Sequence, residues 1–279
     1  MSLDVRHLSF SYGNHTVLKD VSFEVPDGSL TCVLGPNGTG KTTLFRCILG
    51  LNQGYGGTVA VNGTDASKLS VRKRALEIAY IPQSHRSVFD YEALDVVLMA
   101  CGGELSVLKS PGKEQVEHAL VSLERVGIVD LAHRPVTELS GGQQQLVLVA
   151  RAVAQNSHTI VMDEPTSALD FANTSRILNL VRSLADEGRS VLLSTHHPDQ
   201  AYLYSDAVLA LEGGRVVVDG TPQSVVTSEH ISRLYHIGVR VSSLYDDHVR
   251  VCVPESSIQN LTQDFLRQGE NGASRHLNV

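Results

Sequence analysis

No run of about 18 apolar residues, the length needed to cross a bilayer, occurs anywhere in the 279 residues. The opening stretch, MSLDVRHLSF, lacks the basic start and apolar follow-on of a secretory signal. The expectation is a cytosolic protein whose contact with any membrane is peripheral. Cysteine is scarce: Cys32, Cys47, Cys101 and Cys252 lie far apart, without a CxxC pair or His/Cys ligand spacing. That spacing excludes a disulfide framework and a zinc site, and leaves buried or inert thiols. Positive charge is thin as well. Lys and Arg number 23 against 30 Asp and Glu, the net charge is −7, and the longest basic run is Arg72-Lys73-Arg74. Such a chain has no footprint for wrapping nucleic acid, and no nucleic-acid partner is expected. What is present is ample apolar material, 42% of residues with 19% charged, enough for one large globular domain with a small appendage.

Along the chain, Leu3 to Val25 is strand-like and partly period-two at Val17, Val21, Phe23 and Val25, with a turn at Pro26-Asp27-Gly28, which predicts an antiparallel element. Leu30 to Leu34 reads as a buried strand, followed by a glycine-rich loop and a helix from about Lys41 to Leu49 ended by Gly50. From Ser84 the character turns helical. Ser110 is a candidate cap, with Pro111 at the first helical position and Val116, Ala119, Leu120, Leu123 and Val126 on one face before Gly127. Thr159 to Met162 and Val191 to Thr195 then read as strands around a helix near Ile177 to Leu184, rebuilding a parallel sheet. Two hairpins follow, at Val208 to Val218 and at Val239 to Val253. The expected fold is α/β, with a mixed parallel sheet, an N-terminal antiparallel β element and a helical subdomain inserted at about 84–158. The main domain is placed at 1–227, and a small appendage with a mobile polar tail at 228–279.

Gly35-Pro36-Asn37-Gly38-Thr39-Gly40-Lys41-Thr42, with Thr43 alongside, matches GxxxxGK[ST] in full and lies between a predicted strand and a predicted helix. In that setting the glycines let backbone N–H groups and the helix N-terminus face the β-phosphate of a nucleotide. Lys41 spans the β and γ oxygens, and the Thr42 hydroxyl ligates Mg²⁺. Asp163-Glu164 ends the apolar strand that begins at Thr159, and adjacent carboxylates there are costly unless a cation is near. Asp163 is expected to hold Mg²⁺ through water and Glu164 to polarise the attacking water. These two motifs define a P-loop NTPase core that uses ATP and Mg²⁺.

Leu139-Ser140-Gly141-Gly142-Gln143 lies between them and opens a helix; with it in that position the chain resembles the ABC ATPases. The resemblance spans roughly Leu3 to Pro222. It implies that Ser140, Gly141, Gly142 and Gln143 cap the γ-phosphate held by the opposite subunit of a homodimer. Tyr12 would stack on adenine, Gln83 would reach Mg²⁺ or the attacking water, Asp170 in Ser167-Ala168-Leu169-Asp170 would lie in the loop crossing the interface, and His196 would contact the γ-phosphate. His197 is the expected bystander. Softer marks, such as Thr195-His196-His197-Pro198-Asp199-Gln200-Ala201, resemble importers of iron-siderophore, haem, cobalamin or molybdate-type substrates. In that family the partners are transmembrane permease subunits and, indirectly, an extracytoplasmic substrate-binding protein, and the ATPase sits on the cytoplasmic face of the cell membrane. A soluble ABC-type ATPase of translation or DNA repair is the alternative; the usual second cassette, long coiled-coil insertion and zinc modules are absent from the sequence.

Overall fold

The computed structural model describes residues 3–83, 90–101 and 111–257. β1 (Leu3–Tyr12) and β2 (His15–Val25) form an antiparallel pair with Leu3 opposite Val25 and Val5 opposite Phe23, so one face of each strand is buried, as the alternation predicts. β3 (Leu30–Leu34) is buried at every residue, as a central strand covered on both faces must be. The phosphate loop follows it and leads into α1 (Lys41–Ile48). β4 (Gly56–Val61), β5 (Thr64–Asp65), α2 (Val71–Glu77) and β6 (Ile78–Ile81) occupy a stretch whose short runs carry no clear period.

The helical insertion holds α3 (Ala93–Cys101), α4 (Lys113–Val126) and α5 (Gly141–Gln155) among the described residues. α4 does not start at Pro111. Gly112 is its N-cap, where the Gln115 side chain accepts from the Gly112 N–H at 2.9 Å, so the helix begins two residues later than a proline at the first helical position would place it. Ser110 lies outside the described residues. The predicted face is otherwise in place, with Ala119, Leu123 and Val126 buried and Val116 and Leu120 packed beside them.

The core resumes with β7 (Thr159–Asp163), α6 (Phe171–Asp186), β8 (Ser190–Thr195), α7 (Pro198–Tyr204), β9 (Ala207–Glu212) and β10 (Arg215–Gly220). α8 (Pro222–Val225), α9 (Ser228–Tyr235), β11 (Val239–Leu244) and β12 (Val249–Pro254) complete the described chain, and both predicted hairpins form. The central sheet runs β10-β9-β3-β8-β7-β6, parallel except for β10; a second, antiparallel sheet runs β2-β1-β4-β5.

Alternation along the central strands sorts them between layers. Val33, Val161 and Leu192 face Leu44, Phe45 and Ile48 of α1 and, beyond it, the antiparallel sheet. Ile160, Met162, Val191 and Leu193 face the opposite way, onto α5 and α6. Cys32 and Leu34 share that opposite side with Tyr202, Ile231, Leu234 and Val239, so the C-terminal segment packs directly beneath the strand that feeds the phosphate loop. Burial pushes the Cys32 thiol up to about 12 and that of Cys47 to about 11, which makes both inert thiols.

Candidate nucleotide site

Backbone geometry comes first at the phosphate loop. A Cβ at position 35 would come within 2.6 Å of the Leu211 carbonyl oxygen, and Gly40 has φ 107° against the side chains of Leu18 and Val17. Only glycine fits either place, and the loop can therefore curl at the C-terminal end of β3, where ligands bind in open α/β sheets. It borders a cleft of about 300 Å³ whose walls include Asn37, Gly38, Gly40, Lys41, Thr42, Thr43, Gln83 and Glu164.

Lys41 is buried, and its ammonium donates to the carbonyls of Gly35 at 2.7 Å and Pro36 at 3.0 Å. It also pairs with Glu164 Oε1 at 3.1 Å, and both side chains are about nine-tenths buried or more. Glu164 is the point on which the site converges. Gln83 Nε2 donates to its Oε2 at 3.1 Å, and His196 Nδ1 lies 3.1 Å from the same oxygen. Beneath it Ser194 joins the two carboxylate residues: the Ser194 hydroxyl donates to Asp163 Oδ1 at 2.7 Å and accepts from the Glu164 N–H at 3.0 Å. Glu164 has φ 45°, a left-handed conformation that costs a non-glycine residue about 1–3 kcal/mol and is held by the surrounding structure. Strain of this kind is concentrated where function constrains the chain.

The oxygen groups of Thr42, Asp163 and Gln83 are a hydroxyl, a carboxylate and an amide, the donor set of a hard cation. Because Gln83 uses its nitrogen on Glu164, its oxygen remains available. No cluster of three or more His, Cys, Asp or Glu suited to a metal occurs among the described residues. A Mg²⁺ here would be held by few protein groups, as this ion commonly is.

The structure therefore gathers Lys41, Gln83, Glu164 and His196, four of the residues singled out in the sequence. His197 stacks at a tilt on His196 with ring centroids 4.2 Å apart, and burial, then the neighbouring His196, hold its pKa below the ordinary value. Tyr12 is half-exposed and packs edge-on against Phe10. Its hydroxyl accepts from Asn52 at 2.8 Å. Burial raises the Tyr12 phenol, yet hydrogen bonds with Asn52, Thr43 and Arg46 together lower it, which places the ring beside α1 at the side of the cleft.

Ser140, Gly141, Gly142 and Gln143 do not line that cleft. Ser140 is the N-cap of α5 in a reciprocal capping box: Ser140 Oγ accepts from the Gln143 N–H at 3.3 Å, and Gln143 Oε1 accepts from the Ser140 N–H at 3.0 Å. A Cβ at Gly141 would meet nothing of its own chain within 4 Å. Asp170 caps α6 by accepting from the Asn173 N–H at 2.8 Å, and Phe171 beside it is 91% exposed.

Sequence reading missed two further residues. Ser194 ties Asp163 to Glu164, and a serine in an apolar strand carries no pattern that would single it out. Gln145, buried in α5, donates to the Pro82 carbonyl at 3.2 Å and so fixes the backbone that presents Gln83. Its signal was a polar residue on a face that otherwise reads as core. Away from the cleft, a groove of about 410 Å³ between the core and the insertion is lined by Leu51, Val71, Arg74, Tyr80, Met99 and Arg151 among others. Leu51, Val71 and Met99 are exposed there.

A parallel sheet with a glycine loop at the C-terminal end of β3, a buried lysine and a strand-end carboxylate pair defines a P-loop nucleoside triphosphatase. The ABC transporter family model matches residues 18–167. The manganese transport system ATP-binding protein MntB of Bacillus subtilis is 37% identical over 246 residues, 88% of this chain and 95% of that protein. Among solved structures, an inward-facing metal-chelate type ABC transporter superposes with a TM-score of 0.78 at 32% identity, covering 91% of this chain and 97% of that one. A dimeric ATP-binding cassette in a post-hydrolysis state, bound to ADP and Pi, superposes with a TM-score of 0.72 at 26% identity, over 79% of this chain and 98% of that one. The chain belongs to the ABC transporter family and is its ATPase cassette.

Proposed function

We propose that two copies of this chain close on ATP, each completing the other's site, and that closure and reopening drive uptake of a metal ion, a metal chelate or a similarly coordinated substrate through a membrane permease. The observation that carries this reading is the split of the motifs. Lys41, Gln83 and Glu164 face one cleft, whereas Ser140 to Gln143 lie outside it around a glycine with open space where a side chain would stand. An N-cap serine and a helix N-terminus that face outward suit a phosphate brought by another molecule. A twofold dimer would set each Ser140 against the partner's Lys41 cleft.

Within each cleft the residues take distinct parts. Lys41 exchanges Glu164 and the carbonyls of Gly35 and Pro36 for phosphate oxygens. Glu164, freed from Lys41, accepts hydrogen from the attacking water, and His196 and Gln83 orient that carboxylate. Thr42, Asp163 and the oxygen of Gln83 would hold Mg²⁺, which supplies charge neutralisation to the phosphates. Tyr12 offers a ring to the adenine, and Asp170 and Phe171 an exposed edge to the partner.

The groove around Leu51, Val71 and Met99 suits a permease segment, which would place the protein peripherally at the cytoplasmic face. Among the described residues no helix is long and apolar enough to cross a membrane. A metal or metal-chelate cargo is favoured by the manganese relative and the metal-chelate neighbour, and an extracytoplasmic binding protein would deliver it. A role in translation or DNA repair is disfavoured by the relatives, among which are ATP-binding proteins of manganese and zinc transport and of cobalamin import.

The test is assembly. A Glu164→Gln chain, slow to hydrolyse, should sediment as a dimer with ATP and as a monomer with ADP. Adding Ser140→Arg should abolish the dimer and leave ATP binding to each monomer. A Ser140→Arg protein that closed on ATP and hydrolysed it at the normal rate would overturn the shared site.

A further inference from the structure

The loop that carries His196 is held from two sides, and the second side has nothing to do with nucleotide. On the first, His196 Nδ1 meets Glu164 at 3.1 Å. On the second, Tyr235, the last residue of α9, donates its hydroxyl to the His196 backbone carbonyl at 2.7 Å. The two residues are 39 positions apart, so this bond spans from the C-terminal segment to the rim of the nucleotide site. Two more ties run the same way. The Cys252 N–H of β12 donates to Asp199 Oδ1 at 3.1 Å in the first turn of α7, and the Tyr202 hydroxyl of α7 donates to the Asp247 carbonyl. The Arg250 guanidinium lies over the Tyr202 ring, 4.9 Å from its centroid, and donates to the carbonyls of Gln223 and Val226.

From these contacts we infer that Tyr235 is a positioning residue for ATP hydrolysis, acting through the His196 carbonyl to hold the histidine at Glu164. The inference rests on the proposed reading of His196 as the residue that orients the Glu164 carboxylate for hydrolysis. Its physical basis is that a backbone carbonyl at the strand-to-helix turn can be satisfied by water or by a fixed donor, and only the fixed donor restrains the turn. The phenol is well placed for this. Its ring packs against the cluster that includes Cys32, Leu34 and Ile231, and burial raises its pKa, so it remains a donor throughout the working pH range. The C-terminal segment is thereby part of the hydrolytic machinery without touching nucleotide.

The experiment is a double-mutant cycle on the full chain, with ATP turnover measured at saturating nucleotide and a single-turnover assay for the slow variants. Tyr235→Phe keeps the ring and removes only the hydroxyl. It should lower kcat about threefold to tenfold while KM for ATP stays within about twofold, because an interaction made through His196 acts on the transition state. In a His196→Ala background the same substitution should change the rate by less than about twofold, since the residue through which it acts is gone. An unchanged kcat in Tyr235→Phe, or an equal further drop in the His196→Ala background, overturns the inference. His196→Ala with near-normal turnover would overturn the reading of His196 itself, a distinguishable result. Should Tyr235→Phe fold poorly, Asp199→Ala breaks the neighbouring tie to Cys252 and should lower kcat in the same direction, again only when His196 is present; no effect there would count against the clamp.

Discussion

Replacing Glu164 by Gln separates binding from chemistry, because in this structure the carboxylate has a second employment. It is the buried counter-ion of Lys41 at 3.1 Å. With an effective dielectric of about 20, a pair at that distance is worth about 5 kcal/mol of Coulomb attraction, which arriving phosphates must replace before Lys41 can serve them. An amide keeps the shape but not the charge, and its single oxygen can accept on one side only, so the variant gives up this competition. ATP affinity should then be unchanged or higher, by up to about tenfold, or about 1.4 kcal/mol after desolvation offsets most of the Coulomb gain. Turnover should fall about 100-fold to 10,000-fold, the range for loss of a positioned general base. The φ of 45° at position 164 is no obstacle, since Gln meets the same backbone restriction as Glu. Titration calorimetry gives the affinity, and phosphate release at saturating ATP gives the turnover. Turnover within tenfold of the parent, or ATP bound tenfold more weakly, would refute the assignment of both roles to this side chain.

Lys41→Ala should instead weaken ATP binding itself, because on the proposed reading the ammonium would face phosphate oxygens in ground and transition states alike; unchanged affinity by calorimetry would count against it. Tyr12→Ala should cost about 1–3 kcal/mol of ATP affinity and spare the preference for triphosphate over diphosphate, by analogy with bases stacked on aromatics. An unaltered affinity would return Tyr12 to a packing role against Phe10. His197 titrates below its ordinary value because burial and His196 disfavour its charge, so the unfolded chain binds the proton more readily. Its contribution to stability is present above about pH 6.5 and is lost as the pH falls through the lower folded value. His197→Asn should accordingly show a shallower fall in Tm from about pH 6.5 to 5, and identical slopes in the two proteins would refute this.

Much of this was legible in the sequence, and the reasons differ by residue. The phosphate loop could be read because its glycines answer a local backbone demand that only glycine meets, visible at Gly40. Asp163 and Glu164 could be read because two charges at the end of an apolar strand need a cation or a partner nearby. Strands β1 to β3 and both C-terminal hairpins followed from alternation and turn residues. The start of α4 did not, because Gln115 caps Gly112 from inside the helix, and a side chain reaching back overrides the preference of Pro111 for the first turn. Ser194 was illegible, and Gln145 gave only its polarity on an apolar face, since their partners, Asp163, Glu164 and the Pro82 carbonyl, are brought near only by sheet and helix packing. Tyr235 belongs with them: its acceptor is a backbone carbonyl, which has no sequence signature at all.

These long-range bonds would let the two halves of the proposed shared site inform each other. Ser140 caps α5, and α5 carries Gln145, whose amide holds the Pro82 carbonyl at 3.2 Å. Gln83 follows Pro82 and donates to Glu164 at 3.1 Å, and Glu164 in turn holds Lys41. A partner that engaged Ser140 would pull on the N-terminus of a 15-residue helix, and a helix with so many buried residues would move as a unit rather than bend. The displacement would reach Gln83 through the Gln145 bond to Pro82 and Glu164 through the bond from Gln83.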